Sequence, residues 1–175
     1  MNITRQWAMP SPDTFSISQI SALLDRWLVG KQRIVDPFER NSKRAQFTND
    51  LNPETSAEYH MGAVAFLEFQ AASGLMADAI LIDPPYSPRQ ISEVYKQIGR
   101  TCNTADTQNA KLYKAVKEAA NRLADKGTVV ICCGWNSAGM GGKQYKFEEI
   151  LLVAHGGAHN DTIVTVETKV QSGLL

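Results

Sequence analysis

Apolar and polar positions divide the chain into short apolar runs and longer amphipathic stretches. The runs are Ile34-Val35, Ala45–Asp50, Ala57–Met61, Ala79–Ile82, Gly127–Cys133, Phe147–Ala154 and Thr162–Val170. A short, nearly continuous apolar run bounded by turn residues is the pattern of a buried strand, parallel where both faces are covered. Between the runs, apolar residues recur at helical spacing. Ile17, Ile20, Leu23, Leu24, Trp27 and Leu28 form one stripe, and Ile91, Val94, Tyr95 and Ile98 a second. Leu112, Tyr113, Val116, Ala119, Ala120 and Leu123 form a third, and Gly62–Leu67 opens a further helix. Strands alternating with helices predict a parallel sheet with right-handed crossovers. The last two runs, joined by His155–Asp161, predict an antiparallel pair. The expected fold class is α/β, a mostly parallel sheet with a C-terminal antiparallel strand pair.

Local signals place the boundaries. Residues 1–14 read as an extended arm. Ser16 and Gln19 have the spacing of a capping box, Phe15 and Ile20 that of a hydrophobic staple, and Gly30 suits the helix stop. Ser87-Pro88-x-Gln90 marks another helix start, which Gly99 closes. The polar segment 100–108, with Arg100, Asn103, Thr104, Asp106 and Thr107, is a loop of the kind that closes over a substrate.

At 175 residues the chain suits a single domain, 1–175, with 1–30 as arm and first helix. No separate target-recognition domain is visible. No apolar run approaches the ~20 residues that cross a bilayer, and the N-terminus lacks a secretory core. A soluble, cytoplasmic protein without membrane attachment is expected. Three cysteines (Cys102 in a polar loop, Cys132 and Cys133 in a strand) have no metal or disulfide spacing. The three histidines, His60, His155 and His159, form no helical ligand pair, so no metal site is expected. Eighteen basic and eighteen acidic residues give a net charge of zero, which counts against strong phosphate binding. Arg40, Lys43, Arg44, Arg89, Lys143 and Lys146 would line a phosphate cleft if their loops shared one sheet edge.

The chemistry concentrates in Ala79-Ile-Leu-Ile-Asp-Pro-Pro-Tyr86. Proline offers no N–H to a ladder and fixes φ, so Pro84 and Pro85 end the strand in a rigid turn. In open α/β sheets, ligands bind at the carboxyl ends of the strands. Asp83 offers carboxylate acceptors, Pro84 keeps its carbonyl, and Tyr86 adds a flat ring. Together they suit a planar substrate with an exocyclic amine, and a base in a duplex reaches such a turn only by flipping out. The alternative is a structural Pro-Pro turn with a buried tyrosine. Asp50 ends the second strand, where a carboxylate can accept from both hydroxyls of a ribose. The alternative there is an Asx turn leading into Pro53.

Asp83-Pro84-Pro85-Tyr86 resembles the catalytic (D/N)PP(Y/F) motif of the amino-methyltransferases, which use S-adenosylmethionine to modify N6 of adenine, N4 of cytosine or N2 of guanine. Asp36-Pro37-Phe38 resembles the start of their cofactor loop, and Gly62-Ala63 stands where many of them have Asp-Ala. The whole chain resembles the small DNA adenine methyltransferase-like proteins of bacteriophages and prophages. The matching segments are Trp7-x-Met9-Pro10 with Thr14-Phe15, Asp36-Pro37-Phe38-x-Arg40-Asn41-Ser42, Thr48–Pro53, Asp83–Gln90 and Gly134-Trp135-Asn136-Ser137.

The resemblance implies a Rossmann-like class I S-adenosylmethionine-dependent methyltransferase sheet and a site-specific, adenine-specific DNA methyltransferase. Asp83, Pro84, Pro85 and Tyr86 would be its catalytic residues. Asp36, Pro37, Phe38, Asn49, Asp50 and Ala63 would hold S-adenosyl-L-methionine. DNA would be the partner, with specificity weak or supplied by a second copy or another protein, in the host cytoplasm if phage-encoded. Two alternatives stay open. An rRNA guanine-N2 methyltransferase shares the motif, although usually with a glycine-rich first loop. A catalytically silent binding module is suggested by the glycine-free segment Glu39–Arg44 and by Gly62. Another kind of nucleotide-binding protein is disfavoured, as neither a Walker loop nor G-x-G-x-x-G occurs.

Overall fold

The computed structural model describes residues 1–99, 109–136 and 138–171. The expected loop at 100–108, Cys102 and Ser137 lie outside these described residues. Seven strands form one mixed sheet: β1 (Asn2–Trp7), β2 (Ile34–Asp36), β3 (Phe47–Thr48), β4 (Ala77–Ile82), β5 (Ala124–Gly134), β6 (Tyr145–Ala154) and β7 (Thr162–Lys169). The helices are α1 (Ser18–Trp27), α2 (Ala63–Ala72), α3 (Pro88–Gln97) and α4 (Asn109–Leu123). Strand order is β1-β6-β7-β5-β4-β2-β3. Every neighbouring pair is parallel except those made by β7, which runs antiparallel to both β5 and β6. The carboxyl ends of the other six strands therefore share one edge.

β4 shows why this sheet forms. Its side chains alternate between two cores, Ala79 and Leu81 facing Ile20, Leu23 and Leu24 of α1. Ile80 and Ile82 face Phe66 and Leu67 of α2 and Val116, Ala120 and Leu123 of α4. With both faces covered, Ile80, Leu81 and Ile82 are fully buried, each worth roughly 1.5–3 kcal/mol. A continuous apolar run is what a two-sided interior requires.

The local signals fare unevenly. Ser87 caps α3 as its spacing predicts, its Oγ accepting from the Gln90 N–H at 3.2 Å. At α1 the expected capping box is absent: Ile17 is the N-cap, without a side-chain bond. A 3₁₀ turn over Thr14–Ser16 takes up the entry instead, Ser16 Oγ donates to the Asp13 carbonyl, and Gln19 Nε2 donates to the Trp7 carbonyl. The N-terminal arm is an edge strand, β1, in parallel register with β6. The run at 57–61 reduces to a single bridge between Asn49 and Tyr59, because Tyr59 turns its ring onto Phe66 and Phe69 of α2 instead of extending a ladder.

The crossover from β5 to β6 carries glycines rather than a helix. Glu167 of β7, fully buried, accepts the N–H groups of Met140 and Gly141. A Cβ at Gly139 would stand 2.8 Å from Glu167 Oε2, so only glycine lets the loop lie this close. Lys146 opens β6 at the amino edge of the sheet, opposite Asp83. The condition for a phosphate cleft shared by all six cations is therefore not met: the glycine loop carries Lys143 and Lys146 away from the site.

Candidate functional site

The carboxyl edge brings Asp83 and its turn beside the loop that follows β2. Pro84 is buried, while Asp83, Pro85 and Tyr86 are half-buried. The turn is clamped on both sides. β4 fixes its entry, and Gln90 Oε1 accepts the Tyr86 N–H at 2.6 Å from inside α3. The Tyr86 hydroxyl donates to the Asp83 carboxylate, and Thr14 also hydrogen-bonds to it. Burial pushes the Asp83 carboxyl up to about 6, although the Tyr86 and Thr14 hydroxyls and the Arg40 charge pull the other way. Burial, then the Asp83 charge, raise the Tyr86 phenol well above its ordinary value, so it stays protonated and can donate to Asp83. The Tyr86 ring leans on Trp135, just past β5, with centroids 5.4 Å apart and planes tilted by 55°.

A cavity of about 260 Å³ opens beside Asp83. One wall is the 3₁₀ turn with Asp13 and Thr14, and the other is the loop with Phe38, Glu39, Arg40 and Ser42. This loop has no glycine, yet it makes left-handed turns at Arg40 and Lys43, each at φ 54°. Such backbone costs about 1–2 kcal/mol per non-glycine residue. Two acids offset it: Asp50 Oδ2 accepts the Arg40 N–H at 3.1 Å, and Glu39 Oε1 accepts the Lys43 N–H at 3.0 Å. A turn that glycine would give freely is here held by side-chain carboxylates.

The residues expected to hold a cofactor take distinct positions. Asp36 is fully buried and its Oδ1 accepts the Phe38 N–H at 2.9 Å. Burial raises its carboxyl well above the usual range, the Phe38 N–H opposes this, and the charges of Asp83, Glu39 and Asp50 add to it. Pro37 is buried and Phe38 lines the cavity. Asn49 is fully buried, its amide donating to the carbonyls of Pro37 (3.1 Å) and Met61 (3.0 Å) and accepting the Met61 N–H (3.0 Å). It braces the strand ends rather than facing a ligand. Asp50 Oδ1 accepts the Asn52 N–H at 2.8 Å, the Asx turn anticipated as the alternative at this position. Ala63, at the start of α2, packs into the α2–α4 core.

Of the six buried side-chain atoms without a hydrogen-bond partner among the described residues, three gather around this loop: Asp36 Oδ2, Glu39 Oε2 and Ser42 Oγ. Buried polar atoms are nearly always paired, so these three call for water, an ion or a ligand. Two are carboxylate oxygens, which call for donors or a cation. Among the described residues, no three His, Cys, Asp or Glu side chains gather as a metal-ligand set. No helix of the described residues is long and apolar enough to cross a membrane.

Reading the sequence left Thr14, Glu39 and Trp135 beside the site without a role and assigned Arg40 only that of a phosphate contact. Thr14 and Arg40 reach Asp83 from segments far away in the chain, and Glu39 was an acid in a polar loop with no pattern around it. Trp135 was within reach of inference, since it directly follows an apolar run whose carboxyl end must lie on the same edge as Asp83. No family model matches the chain, and no curated protein matches it.

Proposed function

We propose that the protein transfers a methyl group from S-adenosylmethionine to the exocyclic amine of a flipped-out base, with N6 of adenine in DNA as the acceptor. One observation carries this reading: a raised acid and a protonated tyrosine share a proline-stiffened turn beside a cavity lined by Glu39 and Ser42, each with an unpartnered buried oxygen. The sheet supports it, because an antiparallel strand slotted between the last parallel strands is the feature that sets a methyltransferase sheet apart from a plain dinucleotide-binding one. The Asp-Pro-Pro-Tyr resemblance supports it independently.

The orphaned acceptors fit this cofactor. Its ammonium and ribose hydroxyls are donors, and its sulfonium is a cation that an acid-rich pocket favours. Asp36, Pro37, Phe38 and Asp50 hold it, Ala63 opens the helix beside it, and Asn49 keeps those strand ends in place. When bound, it supplies an electrophilic methyl group. Asp83 accepts from the amine of the incoming base, which draws the nitrogen lone pair out of ring conjugation and aims it. The Tyr86 ring gives that base a face to stack on. The gain is mostly positioning and preorganised electrostatics.

Asp83→Ala and Tyr86→Ala test the assignment in a tritiated-cofactor assay on DNA. Both are expected to lose transfer while still binding cofactor, and wild-type transfer by either overturns it. A silent cofactor-binding module is the second reading, favoured by the Tyr86 hydroxyl already occupying the Asp83 carboxylate. Cofactor binding without transfer to DNA or rRNA selects it.

A further inference from the structure

A second cavity, about 120 Å³, is lined by Tyr86 and meets the first at Thr14. That is the room of about four water molecules at ~30 Å³ each, enough for one flat heterocycle and too little for a nucleotide with its sugar. Tyr86, Trp135, Gln90, His159 and Asn160 line it, and Thr14 borders both cavities. We propose that this cavity takes the acceptor base, and that His159 and Asn160 of the β6–β7 connection, with Gln90, select adenine. The inference rests on the methyl-transfer reading for its role, but not for its geometry.

Three features argue for it. The aromatic pair Tyr86 and Trp135 stands tilted at 5.4 Å, a spacing that a modest ring rotation converts into a stacking platform. The opposite wall is rigid. Both ring nitrogens of buried His155 are engaged, Nδ1 with the Ala8 carbonyl at 3.0 Å and Nε2 with Thr162 Oγ1 at 2.9 Å. Its backbone N–H donates to Asp161 Oδ1 at 3.2 Å, and the His159 N–H closes the turn onto the Gly156 carbonyl. Gly156 and Gly157, at φ 69° and 60°, give the turn its left-handed backbone. This fixed turn presents His159 and Asn160, both exposed, at the cavity mouth. Finally, a side-chain amide offers one donor and one acceptor edge, the complement of adenine N7 and its exocyclic amine. The Gln90 oxygen is taken by the Tyr86 N–H, so the Asn160 amide is the better reader.

The binding arm of the test needs no cofactor. The probe is a short single-stranded oligothymidine carrying one adenine, against the same strand carrying one 2-aminopurine, which lacks the 6-amine, and against oligothymidine alone, read by fluorescence and by competition. The wild type is expected to prefer the adenine-bearing strand by about tenfold, the worth of one good amide–base pair. Asn160→Ala with His159→Ala, on an exposed turn, is expected to erase that preference and to raise the acceptor KM with cofactor affinity unchanged. Trp135→Phe is expected to weaken binding of every strand without changing the preference. Equal binding of all strands by the wild type, or an undiminished preference in the double variant, overturns the inference. If methyl transfer proceeds with an unchanged acceptor KM in that variant, the inference falls and the methyltransferase reading stands. If the preference depends on Asn160 but no transfer is found, the pocket stands and the methyltransferase reading falls.

Discussion

Replacing Asp83 by asparagine keeps the size of the side chain and an acceptor for the Tyr86 hydroxyl while removing the charge. The magnitude follows from the titration of the wild-type carboxyl. In an unfolded chain it ionises near 3.8, and in the folded protein at about 6, chiefly because burial disfavours the charge. At 1.36 kcal/mol per tenfold change in proton affinity, holding this carboxylate ionised at pH 8 costs the fold at most about 3 kcal/mol. A raised carboxyl contributes stability below the unfolded value that is lost as pH rises through the folded one. The wild type is therefore at its full disadvantage above about pH 6. At pH 5 the disadvantage is about 1.6 kcal/mol, and below 3.8 it vanishes.

Asp83→Asn is thus expected to be more stable than wild type at pH 8, by up to about 3 kcal/mol, or several degrees in Tm at ~2–4 °C per kcal/mol for a chain of this size. The margin should shrink steadily toward pH 4. Methyl transfer should fall about 100-fold or more, the scale for losing one preorganised charged contact. Wild-type transfer should itself rise with pH through about 6 as the carboxylate forms. Thermal or urea unfolding of both proteins at pH 4, 5 and 8, with transfer measured in parallel, checks each part. A variant that is less stable at pH 8, or whose advantage does not change with pH, would refute the idea that a buried charge is held here at the expense of stability.

Two further outcomes test the frame around the site. Asn49→Ala removes three buried hydrogen bonds that tie Pro37 to Met61; it should destabilise the fold by about 2–4 kcal/mol and weaken cofactor binding together with it, whereas a residue that only touched ligand would lose binding alone in calorimetry. Lys169→Ala removes the buried ammonium that donates to the Asn121 carbonyl in the last turn of α4 and to the Ala124 carbonyl just past it; urea unfolding should show a loss of about 2–4 kcal/mol, and a loss below about 0.5 would mean that water replaces it.

What could be read from the chain was whatever is encoded locally. β4 and its proline turn were legible because Ile80, Leu81 and Ile82 are buried on both faces and the prolines follow at once. The α4 stripe was legible because Val116, Ala119, Ala120 and Leu123 repeat with the helix. β1 was not, because it is exposed along almost its whole length and carries no two-residue alternation. Nor was the glycine-free loop: its turns at Arg40 and Lys43 depend on Asp50 and Glu39 reaching their N–H groups. Asp50 shows the limit of reading one residue for one role. A strand-end acid and an Asx-turn acid are spelled identically, and here the carboxylate serves the turn and the loop before it meets any ligand.

The zero net charge acquires a structural meaning once the cations are located. Of the six basic residues near the expected cleft, Arg40 pairs with Asp13, Arg44 with Asp25, Arg89 with Glu93 and Lys146 with Glu148. Arg40 and Arg44 in addition tie the loop after β2 to the N-terminal segment and α1, through the Pro12 carbonyl and Ser21 Oγ. Arg40 and Arg44 line the cavity, and four of the six cations are paired before a phosphate arrives. Phosphate contacts ordinarily supply most of the affinity for nucleic acid and set its salt dependence. On the proposed function, with so few of these six cations free, recognition would rest on the base itself, by stacking and edge contacts in a pocket. That reading favours an unpaired or easily extruded base as substrate, since little backbone energy is at hand to offset unstacking a stable duplex.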